Sequence, residues 1–572
     1  EVAQPVLPHA AIEKASLKLG HLGVEAVYPL TPVQRDLYLA SVLKPDTLDV
    51  CIGYAISITK PFQIDVWNAV LLAFQERQPM LRTRIYEGSD QRQEQYKSSS
   101  YGDDVACQCV STQASFNLEV QDLTNIECSD ETLESLVHDF VYAPYDIHSS
   151  ELVRYRMWRL DGGRTVFAMG CHHILMDGVS LAVHLSRVAA DYNHALEGGL
   201  ASNGDVSDYA GYLGLAEQYS NEFDTQDIRN FWSENLQNVE PLSLKVVKNT
   251  ERDCAEKSSI GHATKETFLL DADRIDLIKK YCRQQVMTPA MFFRSVYALL
   301  LYKYGNPIQP FIIHSAHSFR PKGHELNLGL YVNQIPFVFD PNFLNGTVEG
   351  LFSDSRRFQK SIRGYEKLSV GETKQLAPSE DVEFVYNFID FVPAISLDSS
   401  AIDVSRYTNH PRKQVQLVVQ TESDGFSLNL HHYSEEFNSC RFLDRMDSVI
   451  EQLLNEEEDL QALRFVLSDE EEELRGWNDT ATEYPETVSI HKQFQQQVLL
   501  NPNKSALVHG EHSLSYQDLN HASNRLAHYL VTQGVVAGEF GCLCLDRFLD
   551  RMVGAVAIWK TGAASVPRAP GC

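Results

Sequence analysis

The densest group of chemically capable side chains is the stretch CHHILMDGVS, which contains His172, His173, Asp177, Gly178 and Ser180. A neutral imidazole accepts a proton from an amine or a hydroxyl. The N-terminus of a helix favours negative charge nearby. This stretch therefore suits a reaction in which an amine or hydroxyl loses a proton while a carbonyl oxygen becomes anionic.

The elements around this stretch decide which of its side chains meet. RTVFAMGCHHIL reads as a buried strand and SLAVHLSRVAADYNHALE as the helix that follows it. Successive side chains of a strand point to opposite faces, so His172 and His173 cannot both line one pocket. We expect one histidine in the site and the other to support it. Asp177 and Gly178 predict a tight turn, and Ser180 is a candidate cap for the next helix.

The wider pattern is mixed α/β. Thr31 can cap a helix with Pro32 at its first position, and strand-like and helix-like stretches then alternate to about residue 200. The Gly/Ser/Asn/Asp-rich segment 197–208 predicts a boundary between two lobes of similar content. Asp424-Gly425, flanked by alternating apolar residues, predicts a hairpin in the second lobe.

A polar connector without periodicity, WNDTATEYPETVS, predicts a second boundary, and a new helix and strand pattern starts at residue 487. The predicted organisation is a lead-in at 1–25, one lobe at 26–200, a second lobe at 201–470, a linker at 471–486 and a further fragment at 487–572.

Composition excludes several function classes. The net charge of −28 opposes binding to nucleic acid or to anionic membranes, and no apolar run approaches the ~20 residues that span a bilayer. The 11 cysteines are scattered, and the close pairs Cys107/Cys109 and Cys542/Cys544 lack zinc-site spacing, so we expect no metal and a cytoplasmic, reducing location. The start at Glu1, with no secretory signal, suggests a piece of a longer chain that is monomeric when excised.

HHILMDGVS resembles the HHxxxDG signature of nonribosomal peptide synthetase condensation domains, here of a fungal-like type. Four further stretches resemble family motifs in the right order, over roughly residues 25–470: YPLTPVQRDLYL, ERQPMLRTRI, SDYAGYLG and GLYVNQIPF. Gln78 replaces a family histidine, Tyr212 a tryptophan and Gln334 a threonine. The later motifs are blurred, with RGYEKLSVGE as the best match, and leave the substrate subtype open.

The resemblance implies an α/β fold of two chloramphenicol-acetyltransferase-like lobes that form a V around a central tunnel. Donor and acceptor carrier domains would each deliver a thioester on a phosphopantetheine arm, so the chain itself binds no cofactor. The acceptor amine would attack the donor carbonyl beside His173, acting as general base or as orienting group.

The resemblance also suggests roles for other residues. Asp177 would form a buried ion pair with Arg82, or failing that with Arg77, and His172 would support the site. Gly178 would lie where backbone approaches the reacting carbonyl or the arm. The remaining predicted residues would line the substrate tunnel: Ser180, Tyr331, Asn333 and Gln334.

The tail resembles the start of the adenylation domain that normally follows, through WNDTATEYP, LSYQDLN, ASNRLAHYL and AVAIWKTGAASVP. The phosphate loop and late catalytic lysine of that family are absent from it. We expect no adenylate formation, no change in melting temperature with ATP and amino acids, and a poorly ordered fragment.

Other readings stay open. A CoA-dependent acyltransferase of the HxxxD class would use His173 and Asp177, but a DFGWG-like element is missing. An ester-forming or epimerising relative and an inactive scaffold share the signature, and acyl transfer between two loaded carriers separates catalysis from scaffolding. His431-His432 with Glu435, and the GEHS stretch at Gly510–Ser513, read as ordinary strand-end and loop residues.

Overall fold

The computed structural model describes residues 23–59, 62–87, 106–126, 128–148, 151–199, 225–244, 264–366, 368–377, 383–390, 395–398, 400–407, 414–422, 425–432, 441–455, 457–484, 488–545 and 548–568. Most of the lead-in, the boundary from residue 200, SDYAGYLG with Tyr212, and Asp424 lie outside these ranges. The chain divides into two compact units, Glu1–Ser468 and Asp469–Cys572.

The first half of the larger unit alternates strands and helices, as the sequence predicts. Its strands are β1 (Val24–Pro29), β2 (Cys51–Ile58), β3 (Thr83–Glu87), β4 (Ala106–Ser111), β5 (Leu118–Asp122), β6 (Val153–Arg159) and β7 (Thr165–His172). Its helices are α1 (Pro32–Leu43), α2 (Ile64–Arg77), α3 (Asp130–Val141) and α4 (Gly178–Leu196). Thr31 caps α1 in a capping box with Gln34, and Pro32 is the first helical residue.

The second half of this unit has the same mixed character. Its helices are α5 (Thr225–Leu236), α6 (Ala272–Gln284), α7 (Pro289–Gly305), α8 (Val348–Ser361), α9 (Val370–Leu376) and α10 (Phe442–Leu454). Its strands are β8 (Thr264–Leu270), β9 (Phe311–Ser318), β10 (Val332–Phe339), β11 (Glu383–Ile389), β12 (Ser396–Leu397), β13 (Ser400–Ala401), β14 (Asp403–Tyr407), β15 (Gln414–Thr421) and β16 (Phe426–His432).

The first lobe is built on a five-stranded sheet with the order β14-β2-β7-β6-β5, and β1, β4 and β3 form a separate three-stranded sheet. Strand β14 comes from the second half of the chain but pairs antiparallel with β2. A simple division at residue 200 is therefore wrong for residues 403–407. Backbone pairing between distant strands is a tertiary preference that local sequence patterns do not report.

The second lobe has a six-stranded sheet with the order β10-β9-β11-β15-β16-β8. Strands β15 and β16 pair antiparallel, as the predicted hairpin requires. Helix α7 packs into the core of this lobe, and its run from Phe292 to Leu301 is buried on all sides. A helix that is apolar all round belongs in such a position.

The smaller unit contains α11 (Ser468–Asn478), α12 (Ile490–Leu500), β17 (Ser505–His509), β18 (His512–Ser515), α13 (Tyr516–Thr532), β19 (Phe540–Cys544), α14 (Leu549–Thr561) and β20 (Ala564–Arg568). These elements are regular, so the expectation of a poorly ordered fragment is wrong. Helix α14 closes a small core of Leu543, Ala555, Ile558 and Ala563. Lys560 in addition joins α14 to α13 by donating to Asn520 and Asn524.

Two classes of feature have no candidate among the described residues. None of the helices in those ranges is long and apolar enough to cross a membrane. Nor do three or more histidine, cysteine or acidic side chains come together there in a group that could hold a metal ion.

Candidate active site

His173 follows directly after β7, and its backbone fixes both its place and its tautomer. Its N–H donates to Val50 O at 2.7 Å. Its Nδ1 lies 2.7 Å from Met176 O. A carbonyl only accepts hydrogen bonds, so Nδ1 carries the proton, and Nε2 of the neutral ring keeps a free lone pair. Burial lowers the pKa of His173, which keeps the ring neutral near pH 7.

His172 is held in the opposite tautomer. Its Nδ1 accepts from the N–H of Ile174 at 3.1 Å, so its Nε2 donates to Ser41 Oγ at 2.9 Å. The Tyr145 ring packs edge-on against it with centroids 5.8 Å apart. Burial, with smaller contributions from His173 and Arg154, lowers the pKa of His172 to about 3. Both ring nitrogens of His172 are engaged within the protein, as expected of a supporting residue.

Asp177 is the N-cap of α4 and the centre of a joint between the lobes. Its Oδ1 accepts from Ser180 N at 2.8 Å and from Arg320 Nη2 at 3.0 Å, and its Oδ2 accepts from Tyr331 N at 2.9 Å. The side chains of Asp177 and Arg320 are 3% and 7% exposed. Asp177 thus forms the expected buried ion pair, but with an arginine of the second lobe.

The predicted partners of Asp177 are wrong because each pairs elsewhere. Arg82 faces β1 and β4, where it donates to Ser111 O and pairs with Glu25 at 2.9 Å. Arg77, at the end of α2, pairs with Asp191 of α4 at 2.5 Å. Arg320 lies in the loop between β9 and β10, 143 positions beyond Asp177, so motif spacing gives no sign of the contact.

Ser180 does not cap α4, because Asp177 occupies that position. Its hydroxyl donates to Gly329 O at 2.7 Å and accepts from Gly329 N at 3.1 Å and from Arg320 Nη2 at 2.9 Å. All hydrogen-bonding capacity of the hydroxyl is thereby used within the protein. Ser180 is a fully buried part of the joint between the lobes, which departs from its predicted place in a substrate tunnel.

Tyr331 and Asn333 are also buried in contacts with the protein itself. The Tyr331 ring lies 4.1 Å under the Arg320 guanidinium and joins the core of the first lobe. Asn333 Nδ2 donates to Glu366 O at 3.1 Å and to Leu368 O at 2.8 Å, which uses both amide hydrogens. Tyr331 and Asn333 thus contact other protein groups, whereas the sequence predicted that they line a substrate tunnel. Gln334 is half-buried on the other face of β10, and its tunnel role stays a prediction.

Gly178 opens α4 beside these groups. It is exposed, and a Cβ added at this position would meet no described atom within 4 Å. Packing within the protein therefore does not require glycine here.

Gln34 is a supporting residue that sequence reasoning missed. It is fully buried in α1, and its Nε2 donates to Ile174 O at 3.0 Å and to Gln108 Oε1 at 3.2 Å. Its Oε1 accepts from Thr31 N at 3.0 Å. Gln34 therefore fixes the loop that follows the histidine pair. Its place inside YPLTPVQRDLYL is the only sequence signal that could have indicated this role.

Comparisons with known proteins agree on the family. A family model described as a condensation domain matches residues 24–474, and one described as an AMP-binding enzyme matches residues 494–572. The chain is 24% identical over 604 residues to a linear gramicidin synthase of Brevibacillus parabrevis, covering 98% of this chain and 11% of that protein. It is 23% identical to N-(5-amino-5-carboxypentanoyl)-L-cysteinyl-D-valine synthase of Penicillium rubens, over 77% of this chain and 12% of that protein. The chain thus spans about a tenth of the length of these relatives.

Solved structures show the same fold. The first condensation domain of the calcium-dependent antibiotic synthetase covers 76% of this chain at 14% identity with a TM-score of 0.61, and 96% of that domain is matched. The nonribosomal peptide synthetase FmoA3 in an AMPPNP-bound form covers the whole chain at 17% identity with a TM-score of 0.71, and 57% of that chain is matched. The two-lobed, chloramphenicol-acetyltransferase-like fold is therefore shown.

Proposed function

This chain belongs to the condensation-domain family, and from that premise we propose that residues 24–474 form a peptide (amide) bond. The donor is an aminoacyl or peptidyl thioester and the acceptor an aminoacyl thioester, each carried on the phosphopantetheine arm of a partner carrier domain. The two arms enter a tunnel between the lobes from opposite faces. The small number and wide scatter of the cysteines support a cytoplasmic location.

The observation that carries this proposal is the tautomer of His173, with Nδ1 held by Met176 O and Nε2 left unprotonated. The acceptor amine nitrogen attacks the donor carbonyl, the new C–N bond forms, and the C–S bond breaks to release the donor arm as a thiol. Nε2 accepts a hydrogen bond or the proton from the amine, which covers both the orienting and the general-base role. The oxyanion that develops lies beside the first turn of α4, where Gly178 leaves space.

A two-carrier assay with His173→Ala tests the proposal. We expect peptide transfer from the donor arm to the acceptor arm to fall by about 10²-fold or more, the usual contribution of a positioned acid–base group. The melting temperature should fall by only a few degrees, because the substitution removes a single hydrogen bond, from Nδ1 to Met176 O, at a half-buried position. His194→Ala, at an exposed position of α4, is the matched control.

The same assay separates the competing functions. Unchanged transfer by the His173→Ala variant contradicts the proposed site. Transfer from acyl-CoA in place of the donor carrier indicates the CoA-dependent alternative, and an ester product from a hydroxyacyl acceptor indicates the ester-forming one. No transfer by the unsubstituted chain with any loaded pair indicates a scaffold.

A further inference from the structure

A cleft of about 310 Å³ opens in the first lobe between helix α3 and two neighbouring strands, β6 and the edge strand β5. Leu136, Phe140 and Ala143 supply an apolar wall from α3 and the residues after it, and Arg154 and Arg156 project from β6. This volume is at the small end of the ~300–1,000 Å³ range of ligand pockets. The active-site residues described above are not part of its lining.

On the side of the sheet that borders the cleft, β5 and β6 carry one ion pair, and the neighbouring pair of positions has an arginine but lacks the carboxylate. β5 and β6 are parallel, with Glu119 opposite Arg156 and Asp122 opposite Arg159. Glu119 Oε2 lies 2.8 Å from Arg156 Nε on the cleft side. The Asp122–Arg159 pair, with Oδ2 3.3 Å from Nη1, lies on the opposite face, because successive side chains of a strand alternate between faces. One residue before the paired stretch, the same register brings Asn117 opposite Arg154. This pair of positions has the Arg154 guanidinium but no carboxylate.

Arg154 is the cationic side chain of the cleft that has no carboxylate partner among the described residues. Its Nη2 donates to Ala143 O at 2.5 Å, and its Cζ lies 3.7 Å over the Tyr145 ring. Its Nε is buried without a hydrogen-bond partner. Across the described ranges it forms no ion pair with any carboxylate, although a buried guanidinium is stabilised by one.

The acidic groups of the lining are committed to other partners or turned to solvent. Glu119 pairs with Arg156. Glu151 accepts from Ser115 Oγ and lies 4.0 Å from Arg84, and burial raises its pKa. The Asp139 side chain is 71% exposed. None of these groups neutralises Arg154.

We propose that this cleft binds a small carboxylate that bears an apolar group. The carboxylate pairs with the Arg154 guanidinium in the place that an acidic side chain at position 117 would take. The apolar group packs against Leu136 and Phe140. Because the cleft lies outside the active site, this binding does not depend on the proposed peptide-forming activity.

Thermal denaturation and calorimetric titration of the full chain with phenylacetate test the proposal. Phenylacetamide, a neutral molecule of nearly the same shape, is the matched probe. We expect a saturable rise in melting temperature and measurable heat with phenylacetate only, since a ligand that binds the folded state stabilises it by mass action. An equal response to phenylacetamide, or no saturable binding below about 10 mM phenylacetate, overturns the proposal.

Asn117→Asp is the decisive variant because it keeps Arg154 and supplies the missing carboxylate from within the chain. We expect at least a tenfold loss of phenylacetate affinity. Gln121→Glu adds the same charge to β5 opposite Trp158 and should keep the affinity. Arg154→Met should also abolish binding, and Arg159→Met should not. Retained affinity in Asn117→Asp contradicts the proposed role of Arg154.

Discussion

The adjacent residues His172 and His173 have opposite tautomers, and a single main-chain group determines the tautomer of each ring. Met176 O fixes the proton on Nδ1 of His173, whereas the N–H of Ile174 fixes the lone pair on Nδ1 of His172. One ring therefore offers a basic nitrogen to the site, and the other uses both nitrogens to hold the loop. A glutamine at either position would keep some polarity but could not reproduce both contacts in the same geometry.

The Asp177–Arg320 pair is the first test at the residue scale. Asp177→Asn or Arg320→Met should lower the free energy of unfolding of the larger unit by about 3–5 kcal/mol, because each leaves a buried charge unpaired. In a double-mutant cycle the combined loss should be smaller than the sum. Arg159→Met, in the exposed Arg159–Asp122 pair of the same unit, is the control and should cost about 1 kcal/mol or less. Additive losses in denaturant titrations would show that the two groups do not interact.

A second test concerns His184, which is fully buried between Tyr54 and Tyr155. Their hydroxyl groups lie 2.9 Å from Nδ1 and 3.2 Å from Nε2 of the ring. Burial lowers the pKa of His184 to about 3, whereas a histidine in the unfolded chain titrates near 6.5. Between these values the unfolded state binds the extra proton, so stability falls as the pH is lowered.

We therefore expect the melting temperature of the His184→Gln variant to fall less steeply between pH 6.5 and pH 4 than that of the unsubstituted chain. Thermal denaturation at closely spaced pH values measures the two slopes. Replacement of the exposed His194 is the control. Parallel curves for His184→Gln and the unsubstituted chain would show that His184 is not kept neutral.

The sequence predicts those parts of the site whose residues are close together along the chain, and it does not predict contacts between residues far apart along the chain. Alternation along β7 separates the roles of His172 and His173, and the order Asp-Gly marks the start of α4, because both features are local. Arg320 and Gln34 reach the same loop from other elements, and only the folded chain brings them there. Motif similarity located Arg82 and Arg77 but could not show which acid each would meet.

At the scale of elements, most helices and strands follow from the sequence because their periodicity and caps are local. One element end departs from ordinary backbone geometry. Val286, just after α6, has φ of 51° and is 79% exposed. A β-branched residue is strained in this left-handed conformation, which glycine adopts without cost.

Val286→Gly should therefore raise the free energy of unfolding of the larger unit by about 1 kcal/mol. Leu277→Gly, at a similarly exposed position inside α6, is the matched control and should lower it by about 1 kcal/mol. Denaturant titrations of both variants measure the changes. A loss of stability in Val286→Gly would mean that the side chain makes contacts worth more than the strain.

At the scale of the larger unit, the two lobes meet through more than the active-site joint. Asp36 of α1 accepts from Gly371 N of α9 at 2.7 Å, between residues 335 positions apart. A Cβ at Gly371 would lie 2.5 Å from Asp36 Oδ1. Helix α1 also carries Gln34 and Ser41, so it contacts both the second lobe and the histidine loop.

Gly371→Ala should displace the Asp36 carboxylate and break its hydrogen bond to Gly371 N, so that the melting temperature of the larger unit and peptide transfer both fall. Gly476→Ala, where an added Cβ meets no described atom within 4 Å, is the matched control and should change neither quantity. Circular dichroism during heating and the two-carrier assay measure the effects. An unchanged melting temperature in Gly371→Ala would show that the Asp36 carboxylate moves aside without cost.

The pairing of β14 with β2 has a consequence for the order of synthesis and for the exchange of parts between synthetases. The five-stranded sheet of the first lobe lacks its edge strand β14 until residues 403–407 have left the ribosome. We therefore expect the first lobe to complete its folding only after most of the second lobe has been synthesised. A chimera joined near residue 200 would separate β2 from its partner strand. A working exchange of the first lobe must therefore carry residues 395–407 with it, or take both lobes as one piece.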